Sequence, residues 1–368
     1  MPVPLSDPAR EYAALGPEID ARVRAVLSSG RVVRGPAIAE FERSFAARVG
    51  IRRVVMVGSG TAALHAALVA AGVEPGDEVI VPALTFVATA GAVLAAGAVP
   101  AIVDVDADTL LLDVEAARRA VTPRTRAVVP VHLYGQVHPR TAALAAEMRD
   151  MGIAVVEDAC QAHGARCGSL MPGSGGTAAC FSFYPTKNLG TCGEGGAVAT
   201  DDDGIAERVR SLRDHGSAPA GRLPGVGMNL WPGEIEAAVL CAKLSHLDRW
   251  NEARRAMARR YDEVLATRSA IRPVRNDAGD GHAYHQYVVR AARRDELREM
   301  LAARGIATAV HYPLTLASHP GIAPRARVPR ACVEAERAAA EVVSLPVHQW
   351  LTSEEAERCV GALGKLGR

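Results

Sequence analysis

Lysine is nearly absent from this sequence. Only Lys187, Lys243 and Lys365 occur among 42 cationic residues, and the other 39 are arginine. Ala, Gly and Pro are abundant alongside, which marks a genome's composition rather than a function, yet the scarcity frames each lysine that remains. Arginine serves for surface charge but stays protonated, whereas a lysine amine can lose its proton and attack a carbonyl. Net charge is lacking too. The 42 cations stand against 41 acids and leave +1, so no global field draws the chain onto nucleic acid or membrane, and the expected partner is a small molecule or a second copy. No apolar run approaches the roughly 20 residues that span a bilayer. The opening Pro2-Val3-Pro4 lacks the basic-then-apolar order of a secretory signal, so a cytoplasmic protein is expected. The seven cysteines are scattered and include no C-x-x-C pair, which argues against a disulfide framework and against a zinc site. Internal repeats and low-complexity tracts are missing as well.

What is present suits a large and a smaller domain: 368 residues, of which 49% are hydrophobic. Seven short apolar runs recur between helix-like stretches, at Val54–Val57, Glu78–Val81, Ala101–Val105, Ala127–Val131, Ile153–Glu157, Ala179–Phe183 and Ala197–Thr200. They are apolar almost throughout rather than alternating, as strands buried on both faces of a mostly parallel sheet are, and the fold class is α/β. Ser59–Ala71, Val114–Ala120 and Thr141–Met151 read as crossover helices. Glu234–Leu265 reads as one long helix linking two domains, followed by a strand at His285–Arg290, an amphipathic helix at Arg294–Arg304, a strand at Thr308–Tyr312 and a closing helix at Ser353–Leu366. The expected division is an N-terminal arm and helix over 1–34, a large domain over 35–245 and a small α+β domain over 246–368.

Three places carry chemistry. Gly58-Ser59-Gly60-Thr61 follows the first strand and opens a helix, where free N–H groups and the helix dipole favour an anion. The same stretch fits the dinucleotide fingerprint G-x-G-x-x-A. The acid that fingerprint needs should end the second strand, however, and Asp77 and Glu78 stand at its start. Asp158 closes the fifth strand, at the edge where open α/β sheets bind ligands, and a carboxylate there can pair with a pyridinium nitrogen. Lys187 follows the sixth strand after Ser182 and a Pro-containing turn, with Gly190, Gly193, Gly195 and Gly196 beyond it. Taken singly, these are an ordinary N-cap, another N-cap and a solvated lysine. Together they describe a cradle for pyridoxal phosphate: phosphate on Gly60, Thr61 and Ser182, ring nitrogen on Asp158, aldehyde on Lys187.

These residues, with Thr85-Phe86-Val87-Ala88-Thr89-Ala90, Val131-His132-Leu133-Tyr134-Gly135, Glu157-Asp158-Ala159-Cys160-Gln161-Ala162-His163-Gly164-Ala165, Phe181-Ser182-Phe183-Tyr184-Pro185-Thr186-Lys187, His311-Tyr312-Pro313 and Ser344-Leu345-Pro346, resemble the DegT/DnrJ/StrS family of sugar aminotransferases over nearly the whole chain. The resemblance implies the type I aminotransferase fold, a mostly parallel seven-stranded sheet with helices on both faces and a smaller C-terminal α+β domain. It also implies a homodimer with active sites at the interface, and transfer of an amino group from glutamate or glutamine to a nucleotide-linked keto-deoxysugar at C3 or C4. By position, Lys187 matches the Schiff-base lysine that also moves the proton, Phe86 the aromatic on the cofactor ring, Gln161 the side chain near its phenolic oxygen, and Thr61 and Ser182 phosphate ligands. Asn229 matches an asparagine that reaches the partner's phosphate, and Tyr184 and His311 face the substrate. A keto-cyclitol acceptor and a catalytically idle sensor are the alternatives. Related dehydratases carry histidine at the lysine position. One departure stands out: the family pattern places an arginine two residues after the asparagine, and here Trp231-Pro232-Gly233 follows.

Overall fold

Asp7 opens the first helix, α1 (Pro8–Ser29), by accepting the Arg10 N–H, and Gly30 ends it at φ 67°, a left-handed cap that glycine takes without steric cost. The computed structural model describes residues 2–217 and 226–365. After α2 (Pro36–Val49), strand and helix alternate: β1 (Arg53–Val57), α3 (Gly60–Ala70), β2 (Glu78–Pro82), α4 (Ala88–Ala95), β3 (Val99–Val103), α5 (Val114–Ala120), β4 (Thr125–Val128), α6 (Thr141–Asp150), β5 (Ala154–Asp158), β6 (Ala178–Ser182) and β7 (Gly196–Thr200). These seven strands form one sheet in the order β1-β7-β6-β5-β4-β2-β3. It is parallel from β3 through to β6, while β7 runs antiparallel between β6 and β1. The α/β class and the mostly parallel sheet are as the sequence implies.

Alternate strand residues enter opposite layers. In β1, Val55 and Val57 join the core under α3, α4 and α7 (Asp203–Arg213), and Val54 and Met56 join the core under α2 and α8 (Glu234–Lys243). In β6 the split is Cys180 against Phe181. Because both faces are covered, polar alternation never appears in the sequence. Four of the five phenylalanines close the second layer: Phe41 stacks on Phe45 at 5.4 Å and meets Phe183 edge-on at 5.1 Å, and Phe45 meets Phe181 edge-on at 5.0 Å. Each such ring is worth roughly 2–3 kcal/mol in burial alone. The quartet lies directly beneath the strand that leads to Lys187.

The remainder comprises α9 (Leu247–Leu265), β8 (Ile271–Pro273), β9 (Tyr287–Ala291), α10 (Arg294–Ala302), α11 (Val333–Glu341), β10 (Val342–Leu345) and α12 (Ser353–Gly364). Its strands form an antiparallel sheet in the order β10-β9-β8. Tyr287, Val289 and Ala291 face α9, α10 and α12, while Val288 packs into the core of the large sheet. The N-terminal segment docks here as well, through Val3 N to Gly305 O at 2.7 Å and the Arg10–Glu355 ion pair.

Two sequence expectations fail locally. The single helix over Glu234–Leu265 is interrupted by a 3-10 turn at Leu244–His246. Lys243 and Leu247 on either side keep right-handed helical dihedrals, so the tightening leaves no mark on the residue pattern. Thr308–Tyr312 is not a strand: Ala309 alone bridges to Ser344, and the His311 carbonyl is taken by the Tyr134 hydroxyl rather than by a ladder. The expected helix end at Leu366 lies outside the described residues. No helix among the described residues is long and apolar enough to cross a membrane.

Candidate active site

The carboxyl ends of β1, β5 and β6 meet at one edge of the sheet, around a cavity of about 430 Å³. Ser59 caps α3, its Oγ accepting the Ala62 N–H at 3.1 Å, and this leaves the N–H groups of Gly60 and Thr61 without partners inside the helix. The turn sits hard against its neighbours. A Cβ on Gly60 would come 2.6 Å from Ser182 Cβ, and one on Gly196 would come 2.3 Å from the Ser59 carbonyl. Glycine at these two positions lets the helix start, β6 and β7 close into a single cradle in which Thr61 and Ser182 line the same cavity.

Asp158 ends β5 and is 6% exposed. Its carboxylate accepts the Thr89 hydroxyl at 2.8 Å and the Cys160 N–H at 3.1 Å, and Thr89 is joined in turn to Thr85 at 3.0 Å. Thr89 lies in the first turn of α4 and Thr85 in the bend that precedes the helix. Among the described residues no cation forms an ion pair with the carboxylate, and it lines the cavity.

Lys187 emerges after Ser182 from a turn in which its own N–H bonds to the Tyr184 carbonyl at 2.9 Å. Its amine has no hydrogen-bonded partner among the described residues. Burial lowers its pKa below the ordinary lysine value, with Cys160 and Asp158 opposing that shift. The amine is therefore deprotonated at lower pH than a surface lysine. Lys243 is buried for a different purpose, donating to the Gly190 carbonyl at 2.7 Å and pairing with Glu11 at 2.5 Å, which ties down the loop after Lys187. Lys365 is exposed. Each of the three lysines thus has a distinct environment, and only one reaches the cavity.

Phe86, Gln161, Tyr184 and His311 line the same cavity. Phe86 is 54% exposed and lies 5.7 Å from the Tyr312 ring. Gln161 is fixed at both ends of its amide, its Oε1 accepting the Tyr134 N–H at 2.6 Å and its Nε2 donating to the Tyr312 hydroxyl at 3.1 Å. His311 contacts Ser344 Oγ at 2.7 Å. Asn229 is exposed and does not line the cavity of its own chain; its Oδ1 accepts the Trp231 N–H at 3.4 Å. The structure adds Thr89, Tyr312, His285 and Gln286. The first two sit inside motifs visible in the sequence, but no spacing singled out the other two.

The cavity fits pyridoxal phosphate on this chain's own groups: an amine without a hydrogen-bonded partner among the described residues, a carboxylate without an ion pair there, and a helix start cleared by Gly60. Two buried histidines, His163 and His285, and the half-buried His311 lie near enough to Lys187 to feel its charge. His285 and His311 have their pKa values lowered by burial and by Lys187, and His163 falls to about 3 for the same reasons. His163 lies between Phe181 and Phe183, and neither ring nitrogen completes a hydrogen bond, the Ser182 main chain offering at most a weak contact. His282 is likewise lowered to about 3 and His348 to about 4, in both cases chiefly by burial.

An unfolded histidine takes up its proton near pH 6.5, whereas His163 and His282 do so only near pH 3 and His348 only near pH 4. The stability they contribute is complete above about 6.5 and is lost as pH falls toward their folded values, by about 1.4 kcal/mol per pH unit for each group. The denaturant midpoint should therefore fall steadily between pH 7 and pH 4.5. His163→Phe should reduce that slope, because phenylalanine fills the space without a titratable nitrogen. A slope identical in the variant would contradict the assignment.

Comparison with known proteins gives the family. The family model for the DegT/DnrJ/EryC1/StrS aminotransferase family matches residues 13–364. The dTDP-3-amino-3,4,6-trideoxy-alpha-D-glucose transaminase of Streptomyces venezuelae is 43% identical over 362 residues, covering 98% of this chain and 95% of its own. A pleiotropic regulatory protein of Geobacillus stearothermophilus is 42% identical, covering 100% of this chain and 99% of its own. Among solved structures, S. venezuelae DesV in complex with a ketimine intermediate superposes with a TM-score of 0.94 at 43% identity, covering 99% of this chain and 98% of that one. NtdA of Bacillus subtilis, with bound cofactor PMP, superposes with a TM-score of 0.88 at 30% identity, covering 95% of this chain and 81% of that one. The chain belongs to the DegT/DnrJ/EryC1/StrS aminotransferase family and is a pyridoxal-phosphate-dependent enzyme.

Proposed function

We propose that this enzyme moves an amino group from glutamate or glutamine to the keto carbon of a nucleotide-linked deoxysugar, at C3 in preference to C4, in the making of an aminosugar. The observation that carries the reading is the Lys187 amine, buried and without a partner, in one cavity with the Asp158 carboxylate and the Gly60–Thr61 helix start. The C3 preference draws support from the S. venezuelae relative, whose name places the amino group there.

Bound pyridoxal phosphate supplies the aldehyde that takes the amine and a ring that accepts electrons. This chain's residues do the rest. The N–H groups of Gly60 and Thr61, with the Thr61 and Ser182 hydroxyls, hold the phosphate. Asp158, oriented by Thr89 and Cys160, keeps the ring nitrogen protonated. Phe86 would pack against the ring, and Gln161, fixed by Tyr134 and Tyr312, would meet its phenolic oxygen. Lys187 would be the side chain that holds that aldehyde, and its amine would be free to move protons once a donor is bound. With its basicity lowered by burial, it then carries a proton from the donor's α-carbon to the cofactor, and in the second half-reaction back toward the sugar carbon. Tyr184 and His311 stand on the substrate side of the cavity. Residues 35–245 make up the cofactor domain and 246–368 the small domain in this reading, with residues 1–34 as the arm and helix. A cytoplasmic homodimer, in which Asn229 reaches the phosphate of the partner, completes the proposal.

Adding glutamate to the purified holoenzyme should bleach the visible absorbance band of the lysine-bound cofactor and bring up a pyridoxamine-type band in the near ultraviolet. A regulatory reading has one observation in its favour, the name of the Geobacillus relative. A band unmoved by glutamate or glutamine would support that reading, and a protein that cannot be reconstituted with cofactor would overturn both.

A further inference from the structure

Trp231 stands where the family pattern has an arginine, and two guanidinium groups lie over its indole: Arg213 at 3.9 Å and Arg34 at 4.8 Å from the ring centroid. Its Nε1–H donates to Asp214 Oδ1 at 3.2 Å, and Asp214 also pairs with Arg34. Arg213 is buried and continues to the Met56 carbonyl at 2.7 Å and to Glu42 at 2.9 Å, so the stack is anchored on β1. The backbone on either side is pinned too. Met228 N bonds to Leu212 O at 2.9 Å and Leu230 N to Arg213 O at 3.0 Å. On the other edge, the Leu230 carbonyl accepts the N–H of Gly58 at 2.8 Å, one residue before the Ser59 cap.

We propose that Trp231 is a positioning residue for the phosphate cradle. Its stack holds residues 228–231 against β1 and α7, and the Leu230–Gly58 hydrogen bond passes that constraint to the turn at Gly58–Thr61. An arginine here would crowd a third guanidinium beside Arg34 and Arg213, whereas the indole face attracts both. The substitution and its two flanking arginines therefore form one device, which rests on the proposed role of Gly60 and Thr61 as phosphate ligands.

The test strips the cofactor from the full-length chain and titrates it with pyridoxal 5′-phosphate and with pyridoxal, which lacks the phosphate. Trp231→Ala should weaken binding of the phosphorylated probe about tenfold, the scale of a lost buried cation–π contact, and leave pyridoxal unchanged. Trp231→Phe, which keeps a ring under the guanidinium groups, should recover most of that loss. Equal losses for both probes would mean a merely structural residue and would overturn the proposal, as would no loss for either. If Trp231→Ala does not fold, Arg34→Ala at the exposed side of the stack should shift the ratio of the two affinities in the same direction by about threefold, and an unchanged ratio overturns the proposal. An unsubstituted chain that prefers neither probe would instead remove the cofactor assignment beneath it, a result distinct from a preference that survives in the variants.

Discussion

Lys187→Ala is expected to abolish the visible cofactor band and to slow transamination by at least about 10³-fold, because in the proposed reading one side chain supplies both the covalent anchor and the proton carrier. The loss should not come from unfolding. The Lys187 amine makes no hydrogen bond among the described residues, and burial already disfavours its charged form. Removing it leaves no partner unsatisfied, so the melting temperature of the apoprotein should stay level or rise. Lys243→Ala gives the opposite signature. It strips a buried amine from the Gly190 carbonyl and from Glu11, so stability falls while any folded enzyme keeps its band. Spectra, melting curves and half-reaction rates of the two variants separate the roles, and full turnover by Lys187→Ala would sink the assignment.

Asp158→Asn is expected to bind cofactor and yet react about 10²- to 10³-fold more slowly in both half-reactions, the cost of losing a preorganised charge beside the ring. The asparagine fits the existing hydrogen bonds. Its Oδ1 can accept the Cys160 N–H, and its Nδ2 can donate to Thr89 Oγ1, whose own hydrogen then turns toward Thr85. Shape is thereby preserved while charge is lost, and the ring nitrogen is left to release its proton. The slowing should fall on proton transfer at the donor α-carbon, so replacing that hydrogen with deuterium should give a larger isotope effect than in the unsubstituted enzyme. Unchanged rates would refute the pairing.

Much of the site is legible in the chain because each element of it is local. A Ser-Gly-Thr at a strand–helix turn exposes N–H groups whatever surrounds it, an acid closing an apolar strand lies at the sheet edge, and a lone lysine after a Pro turn sits just beyond the next strand. The α/β class follows in the same way from strands that are apolar almost throughout. Sheet order was not legible: β7 lies antiparallel between β1 and β6, and strands with two buried faces are alike in composition, so pairing is chosen by how the helices cover them. The alternating run at Thr308–Tyr312 has a strand's pattern but gives its His311 carbonyl to Tyr134, across 177 positions of sequence. Contacts at such range leave no periodic trace.

The residues alone therefore determined the chemistry available here: one free amine, one carboxylate and one anion-binding turn on buried strands. Only the tertiary structure decided their company. It placed Thr89 on Asp158, Tyr312 on Gln161 and three neutral histidines around Lys187, and it turned an unexpected tryptophan into the floor for two arginines. The physical reason is that backbone propensity and hydrophobic period act over a few residues, whereas desolvation and side-chain pairing depend on what the folded chain brings within a few ångströms.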